Sequence, residues 1–371
     1  MHSLNEVFVL GIGMHPATRR EVGLRLEEMV FHTSRRALDH ARVSRRQLDN
    51  VVLGASDELD GRPISSMLMT SPAGGYLTDE MRVTDSGASA LCLGFARIRS
   101  GDFDVGMVAS WCKTSKTDQE AVMRFRGDPF FVRPLGMGSD MADALFVQAV
   151  AAHYGITEGE ANRRAHMATV RATDNPRGLQ SPPLSSDAIG ATGFKATPLR
   201  EGQVAPLSDG AVSIVIASAR FLRSNPQCKP LAIMTGAGWA SDSYRLDAER
   251  LGSMNSAKTA WSMALGQAGL SSASDFDAIE LETPTAWHEA AYVRAFGIAN
   301  EEAVSPSGGS FAQNPIFCSG LVNAAEAILQ VAGQAGPVQR AKVRRAAAHG
   351  CHGYAQQGNV VTLFEQVGAG S

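Results

Sequence analysis

Near its start the chain carries a short apolar run, Val7-Phe8-Val9-Leu10-Gly11-Ile12-Gly13, that closes on two glycines. A run of that length and ending predicts a buried strand passing into a tight turn. Leu231-Ala232-Ile233-Met234-Thr235-Gly236-Ala237-Gly238 has the same form. Each run is followed by a polar stretch and then by a helical pattern, at 37–44 in one case and 264–271 in the other. Apolar strands introduced by Asp49 and Asp277 come next, at 48–53 and 276–281. Ser86-Gly87 and a helical pattern to Gly101 then match Ser319-Gly320 and a pattern to Gly333, and the strands at 212–217 and 360–364 match in turn. Corresponding elements in the same order predict a duplicated α/β chain.

Strand, helix, strand, helix, strand in each half predicts parallel sheets with right-handed crossovers and helices on both faces. The halves run over 1–225 and 228–371. The first carries an insertion at about 112–207, with helical patterns at about 139–154 and 158–173 and loops rich in Pro and Gly. An insertion of that size at the strand ends is where a substrate-covering region sits.

Composition narrows the function. The chain has 371 residues, a formal net charge of −3 and 44% hydrophobic residues, enough for a large core. The near-neutral balance gives no electrostatic reason to expect nucleic acid or an anionic membrane as partner. The N-terminus does not read as a signal peptide, and no apolar run is long enough to span a bilayer. Five scattered cysteines, at 92, 112, 228, 318 and 351, predict reduced thiols in a cytoplasm. Gly11-Ile12-Gly13 and Gly236-Ala237-Gly238 lack the third glycine of a dinucleotide fingerprint.

Several segments resemble the thiolase superfamily, in particular its thiolase-like (acetyl-CoA acetyltransferase-like) acyltransferase branch. They are Ser305-Pro306-Ser307-Gly308-Gly309, Asn314-Pro315 with Ser319-Gly320, Pro206-Leu207-Ser208-Asp209-Gly210-Ala211, and Ala348-His349-Gly350-Cys351-His352-Gly353. The resemblance covers nearly the whole chain. It implies the thiolase fold, a layered α-β-α-β-α core of two βαβαβ-type halves. It also implies a coenzyme A thioester as substrate with no tightly bound cofactor, a homodimer, and a small zinc-ribbon/OB-fold partner protein.

The resemblance also implies a site. The family's nucleophilic Cys stands before a buried helix, and here that position is held by Thr84 in Thr84-Asp85-Ser86-Gly87. A hydroxyl is far less acidic than a thiol, and Thr84 has an alternative role as the helix N-cap. By alignment His349 falls at the second catalytic group, as general base, with Cys351 and His352 beside it. Asn314 stands where the family has His, and its amide can donate to an oxyanion. Glu282 stands where a water-holding Asn or His is usual, and a carboxylate there can act as a base with raised pKa. Ser307, Gly308 and Gly309 form the glycine-rich loop assigned to the thioester, and Arg163 and Arg164 are candidates for coenzyme A phosphates, with a solvated helix face as the alternative. Cys92 reads as core, and His288-Glu289 as a pair on a helix face. His-Gly-Cys-His is too tightly spaced to favour a metal. Two functions follow: an enzyme making or breaking a carbon–carbon bond at an acyl thioester, or a non-catalytic scaffold for an active partner.

Overall fold

The computed structural model describes residues 6–61 and 64–368. Their strands form a nine-stranded sheet in the order 79–84, 50–55, 105–113, 209–218, 7–14, 232–241, 358–365, 345–352, 278–280. The two halves meet at its centre, where the first strand of each pairs antiparallel, Val7 opposite Met234. Reading outward from that seam, first strand, last strand and next-to-last strand follow in both directions. The sequence repeat is therefore a spatial repeat. The second half lacks a full outermost strand; a single parallel bridge from Ile279 to Val304 stands in its place.

The sheet differs from the parallel expectation. Asn50–Ala55 runs parallel to both its neighbours, and Ala278–Glu280 runs parallel to Arg345–His352; the other five pairings are antiparallel. The cause is connectivity. Gly358–Glu365 returns directly beside Arg345–His352 through a short turn, with no crossover helix between them.

The paired glycines of each half have a packing role. A Cβ on Gly11 or Gly13 would collide with the carbonyls of Ala37 and Thr33, in the helix Leu26–Ala41. One on Gly236 or Gly238 would collide with the carbonyls of Ala264 and Ala260, in the helix Asn255–Ala268. These helices lie on the outer faces. Between the two halves of the sheet run the helices Gly87–Ser100 and Ser319–Val331, packed on each other where Ala88 faces Gly320. Ser319–Val331 is buried on every side, as a helix in a central layer must be. The order is helix, sheet, helices, sheet, helix.

The insertion helices form at Ser139–Tyr154 and Glu158–Thr173. They cover the second half: Phe146 and Ala165 share a core with Trp261, Tyr292 and Phe296. All five cysteines are free and buried. Among the described residues no helix is long and apolar enough to cross a membrane.

Candidate active site

A cavity of about 750 Å³ opens where the insertion meets the strand ends and the C-terminal loop. Glu282, Asn314 and Cys351 line it, so three of the five candidate catalytic residues share one site. Thr84 and His349 are not among its lining residues.

Glu282 follows the strand Ala278–Glu280 and is buried. The backbone N–H of Cys351 donates to its Oε2 at 3.1 Å. Burial pushes the Glu282 carboxyl up to about 8, against the opposing pull of that hydrogen bond. Near neutral pH this group can both hold and release a proton. The Cys351 thiol lies 4.0 Å from the Glu282 carbonyl oxygen. Burial, with the nearby Glu282 charge, pushes it well above its ordinary value, so it is a thiol and not a thiolate.

Asn314 is fixed from both ends of its residue. Its backbone N–H donates to Ser208 Oγ at 3.0 Å, and the Ser319 hydroxyl lies 3.1 Å from its Oδ1. With Oδ1 so engaged, the amide NH₂ is the group left for a ligand oxygen; its hydrogen bond to the Ala205 carbonyl is long, at 3.5 Å. Ser208 belongs to the Pro-Leu-Ser-Asp-Gly-Ala segment, which explains why that segment and Asn314-Pro315 occur together.

Thr84 ends the edge strand Asp79–Thr84 and is exposed. It is not the helix cap: Ser86 takes that role, accepting from the Ser89 N–H at 3.1 Å. The helix needs one side-chain acceptor at its N-cap, and the left-handed turn at Asp85 (φ 75°) hands that position to Ser86. Cys92 is core, and burial raises its thiol far above the ordinary range.

His349 is fully buried behind the cavity, its ring 4.3 Å from that of Tyr292. Its Nε2 lies 2.8 Å from Asn359 Oδ1. The Asn359 amide nitrogen donates to Ser256 Oγ and to the Gln356 carbonyl, so Oδ1 accepts and the imidazole proton sits on Nε2. Burial lowers His349 to about 4, outweighing that hydrogen bond, so the ring is neutral at pH 7.

The glycine-rich loop and the basic pair also lie off the cavity. Ser307 is buried and bonds the Glu280 carboxyl twice, from its N–H at 3.1 Å and from its hydroxyl at 2.7 Å. A Cβ on Gly308 would collide with the backbone of Ala172, and Gly309 donates its N–H to Ser307 Oγ at 3.2 Å. This loop joins the insertion to the second half. Arg164 is buried in ion pairs with Glu160, Glu289 and Glu301, at 3.1, 3.4 and 2.9 Å. Arg163 is exposed.

Residues that the sequence did not place at the site complete it. Glu120, Asp140 and Asp143 from the insertion, with His288, Tyr354 and Gln356, line the same cavity. Burial, reinforced by Asp140 and Glu120, pushes the Asp143 carboxyl up to about 8. The adjacent pair His288-Glu289 splits: Glu289 faces Arg164 and Arg171, while His288 faces the cavity. The sequence signal for His288 was its place within the first turn after Thr285, three residues on, a capping-box spacing.

The sheet order, the central helix layer and this cavity at the strand ends define a thiolase-fold protein. No protein-family model matches the chain. Among curated proteins it is similar to an acetyl-CoA acetyltransferase of Methanothermobacter thermautotrophicus, at 25% identity over 272 residues, 68% of this chain and 71% of the relative. Among solved structures it is similar to human mitochondrial 3-ketoacyl-CoA thiolase in complex with CoA, with a TM-score of 0.79 and 16% identity over 98% of both chains. It is equally similar to the Ltp2-ChsH2(DUF35) aldolase, with a TM-score of 0.79 and 18% identity over 99% of this chain and 100% of that one.

Proposed function

We propose that the protein is an enzyme that forms or cleaves a carbon–carbon bond beside the carbonyl of a coenzyme A-type thioester, by aldol-type chemistry without an acyl-enzyme. One observation carries this reading. The cavity wall holds Glu282, a carboxyl with proton affinity near neutrality, while Thr84 at the nucleophile position does not line the cavity. An acyl-enzyme needs a nucleophile in the cavity; an enolate needs only a base and an oxyanion donor.

In the condensing direction the Glu282 carboxylate takes a proton from the α-carbon of the thioester. The Asn314 amide donates to the thioester oxygen as charge develops there. The α-carbon electron pair attacks the carbonyl carbon of a second molecule, the resulting alkoxide takes a proton from water, and the hydroxide left takes the proton held on Glu282, which restores the carboxylate. Cleavage is the same path reversed: the β-hydroxyl loses its proton, the Cα–Cβ bond breaks toward the thioester, and Glu282 returns the proton to carbon. The likeness to an aldolase that carries a DUF35 partner supports both this chemistry and a small partner protein for the chain. The curated acetyltransferase relative supports an acyl-thioester substrate. We place the enzyme in the cytoplasm, in keeping with five unpaired thiols.

The test is turnover of a panel of 3-hydroxyacyl-CoA thioesters, read by mass spectrometry as a shortened acyl-CoA plus a free carbonyl compound. Glu282→Gln should lower the rate by about 10²–10⁴-fold, the usual contribution of a positioned proton carrier. Full turnover by that variant rules out Glu282 as the proton carrier. A wild-type chain that binds no acyl-CoA, yet is required for the activity of a co-purified protein, identifies a scaffold instead.

A further inference from the structure

His288 is held so that one ring nitrogen serves the fold and the other faces the cavity. It is the third residue of the helix Ala286–Ala295, and Thr285 is the cap. The Thr285 backbone N–H donates to His288 Nδ1 at 3.2 Å, and the Thr285 hydroxyl lies 2.7 Å from the same atom. Nδ1 therefore accepts. A neutral imidazole whose Nδ1 accepts carries its proton on Nε2. The ring is clamped by stacking on Phe146, with centroids 4.3 Å apart and planes 11° from parallel. Rotation of the ring is blocked by that stack and by the cap.

The Nε2–H donor so fixed has no hydrogen-bond partner among the described residues. Asp143 Oδ1 lies 3.9 Å from it, beyond hydrogen-bond reach. His288 is fully buried and lines the cavity with Asp143 and Gln356, whose Nε2 is also without a partner. A buried donor left unmade costs free energy, so these atoms mark a place built for a ligand's acceptor atom.

The charge of the place selects the acceptor. Burial, with a smaller push from His349, lowers His288 to about 3, and Asp143 is raised to about 8 by burial and by Asp140 and Glu120. At pH 7 both are mostly neutral, and both then carry a hydrogen to donate. Lys195, which also lines the cavity, is already paired with Asp140 at 3.0 Å. Two neutral donors beside the Asp140 and Glu120 carboxylates favour an uncharged oxygen as the acceptor at this pair.

Resting on the aldol-type reading above, we propose that His288 and Asp143 form an oxygen-binding subsite for the 3-oxo or 3-hydroxy group of the acyl chain. Glu282 serves the α-carbon, and this pair holds the β-oxygen on the other side of the bond that forms or breaks. His288 touches the reacting oxygen through Nε2–H; its charge does not change in the reaction.

Affinity tests this apart from turnover. By calorimetry, wild-type protein should bind 3-oxooctanoyl-CoA about tenfold more tightly than octanoyl-CoA. In His288→Gln, glutamine can keep the capping box with Thr285 but removes the donor aimed into the cavity. That variant should bind the two thioesters alike, with octanoyl-CoA affinity unchanged. Equal affinity of the wild type for both overturns the subsite and leaves the thioester reading standing. No binding of either overturns the thioester reading itself. A second measurement needs no variant: the infrared stretch of a 3-¹³C=O label should shift to lower frequency on binding than in water, and an unshifted or raised frequency overturns the subsite.

Discussion

The Asp85 carboxylate and the Arg126 guanidinium pair side by side, with Nη1 at 2.8 Å from Oδ1 and Nη2 on Oδ2. Asp85 directly follows Thr84 and holds a left-handed backbone at φ 75°. Arg126 in turn lies over the Phe317 ring at 5.1 Å, and Phe317 lines the cavity. Thr84 is thus followed by an ion pair backed by an aromatic wall, and is itself the exposed last residue of the edge strand.

Thr84→Ala should therefore keep thioester turnover within about threefold, the scale of a residue outside the reacting group. Thr84→Cys should gain no acetyl group at position 84 on incubation with acetyl-CoA, read by peptide mass spectrometry. A drop of a hundredfold in the first variant, or acetylation of the second, would restore the covalent route.

Stability should fall as pH rises above neutrality. Glu280 and Glu282 are raised by burial to about 8 from an ordinary 4.5, and Asp143 to about 8 from 3.8. The folded state binds more protons than the unfolded state between those values, so stability declines across that window and is lost as pH passes 8. His288 and His349, lowered to about 3 and 4 from 6.5, act oppositely and only below 6.5. The melting temperature should then drop between pH 6.5 and 8.5. Glu280→Gln, which keeps an acceptor for Ser307, should flatten that slope; a slope unchanged in this variant assigns the effect to other groups.

The edge strand Asp79–Thr84 should pair with a second copy of the chain. Among the described residues its outer side has no strand neighbour, and Leu68, Tyr76, Leu77 and Met81 around it are exposed, Leu77 at 92%. An apolar patch beside an open strand edge is stabilised by pairing. Light scattering should give a dimer at micromolar concentration, and Met81→Arg should shift it toward monomer. A wild-type monomer under those conditions rejects the pairing.

The sequence by itself determined the repeat, its order and most element positions. Strand and helix periods are local properties of the chain, so the helices at 139–154 and 158–173 were legible as they stand. Glycines at 11, 13, 236 and 238 were legible as turn signals, but their purpose was not: the carbonyls they admit come from helices many residues away. Strand direction was also out of reach, because a returning strand and a crossover strand carry the same apolar pattern. The site was legible only where a motif marked it. Glu282, Asn314 and Cys351 lie in marked segments and line one cavity. His349 and Cys351, two residues apart on one strand, were separated by depth alone: the strand carries one into the core and brings the other to the cavity. His288 and Asp143 are 145 positions apart by residue number and carry no shared motif. Only the packing of an insertion helix against the helix Ala286–Ala295 brings them together, and only burial there shifts the proton affinity of both. Chemical identity is written in the sequence, whereas the desolvation that decides a side chain's charge is a property of everything packed around it.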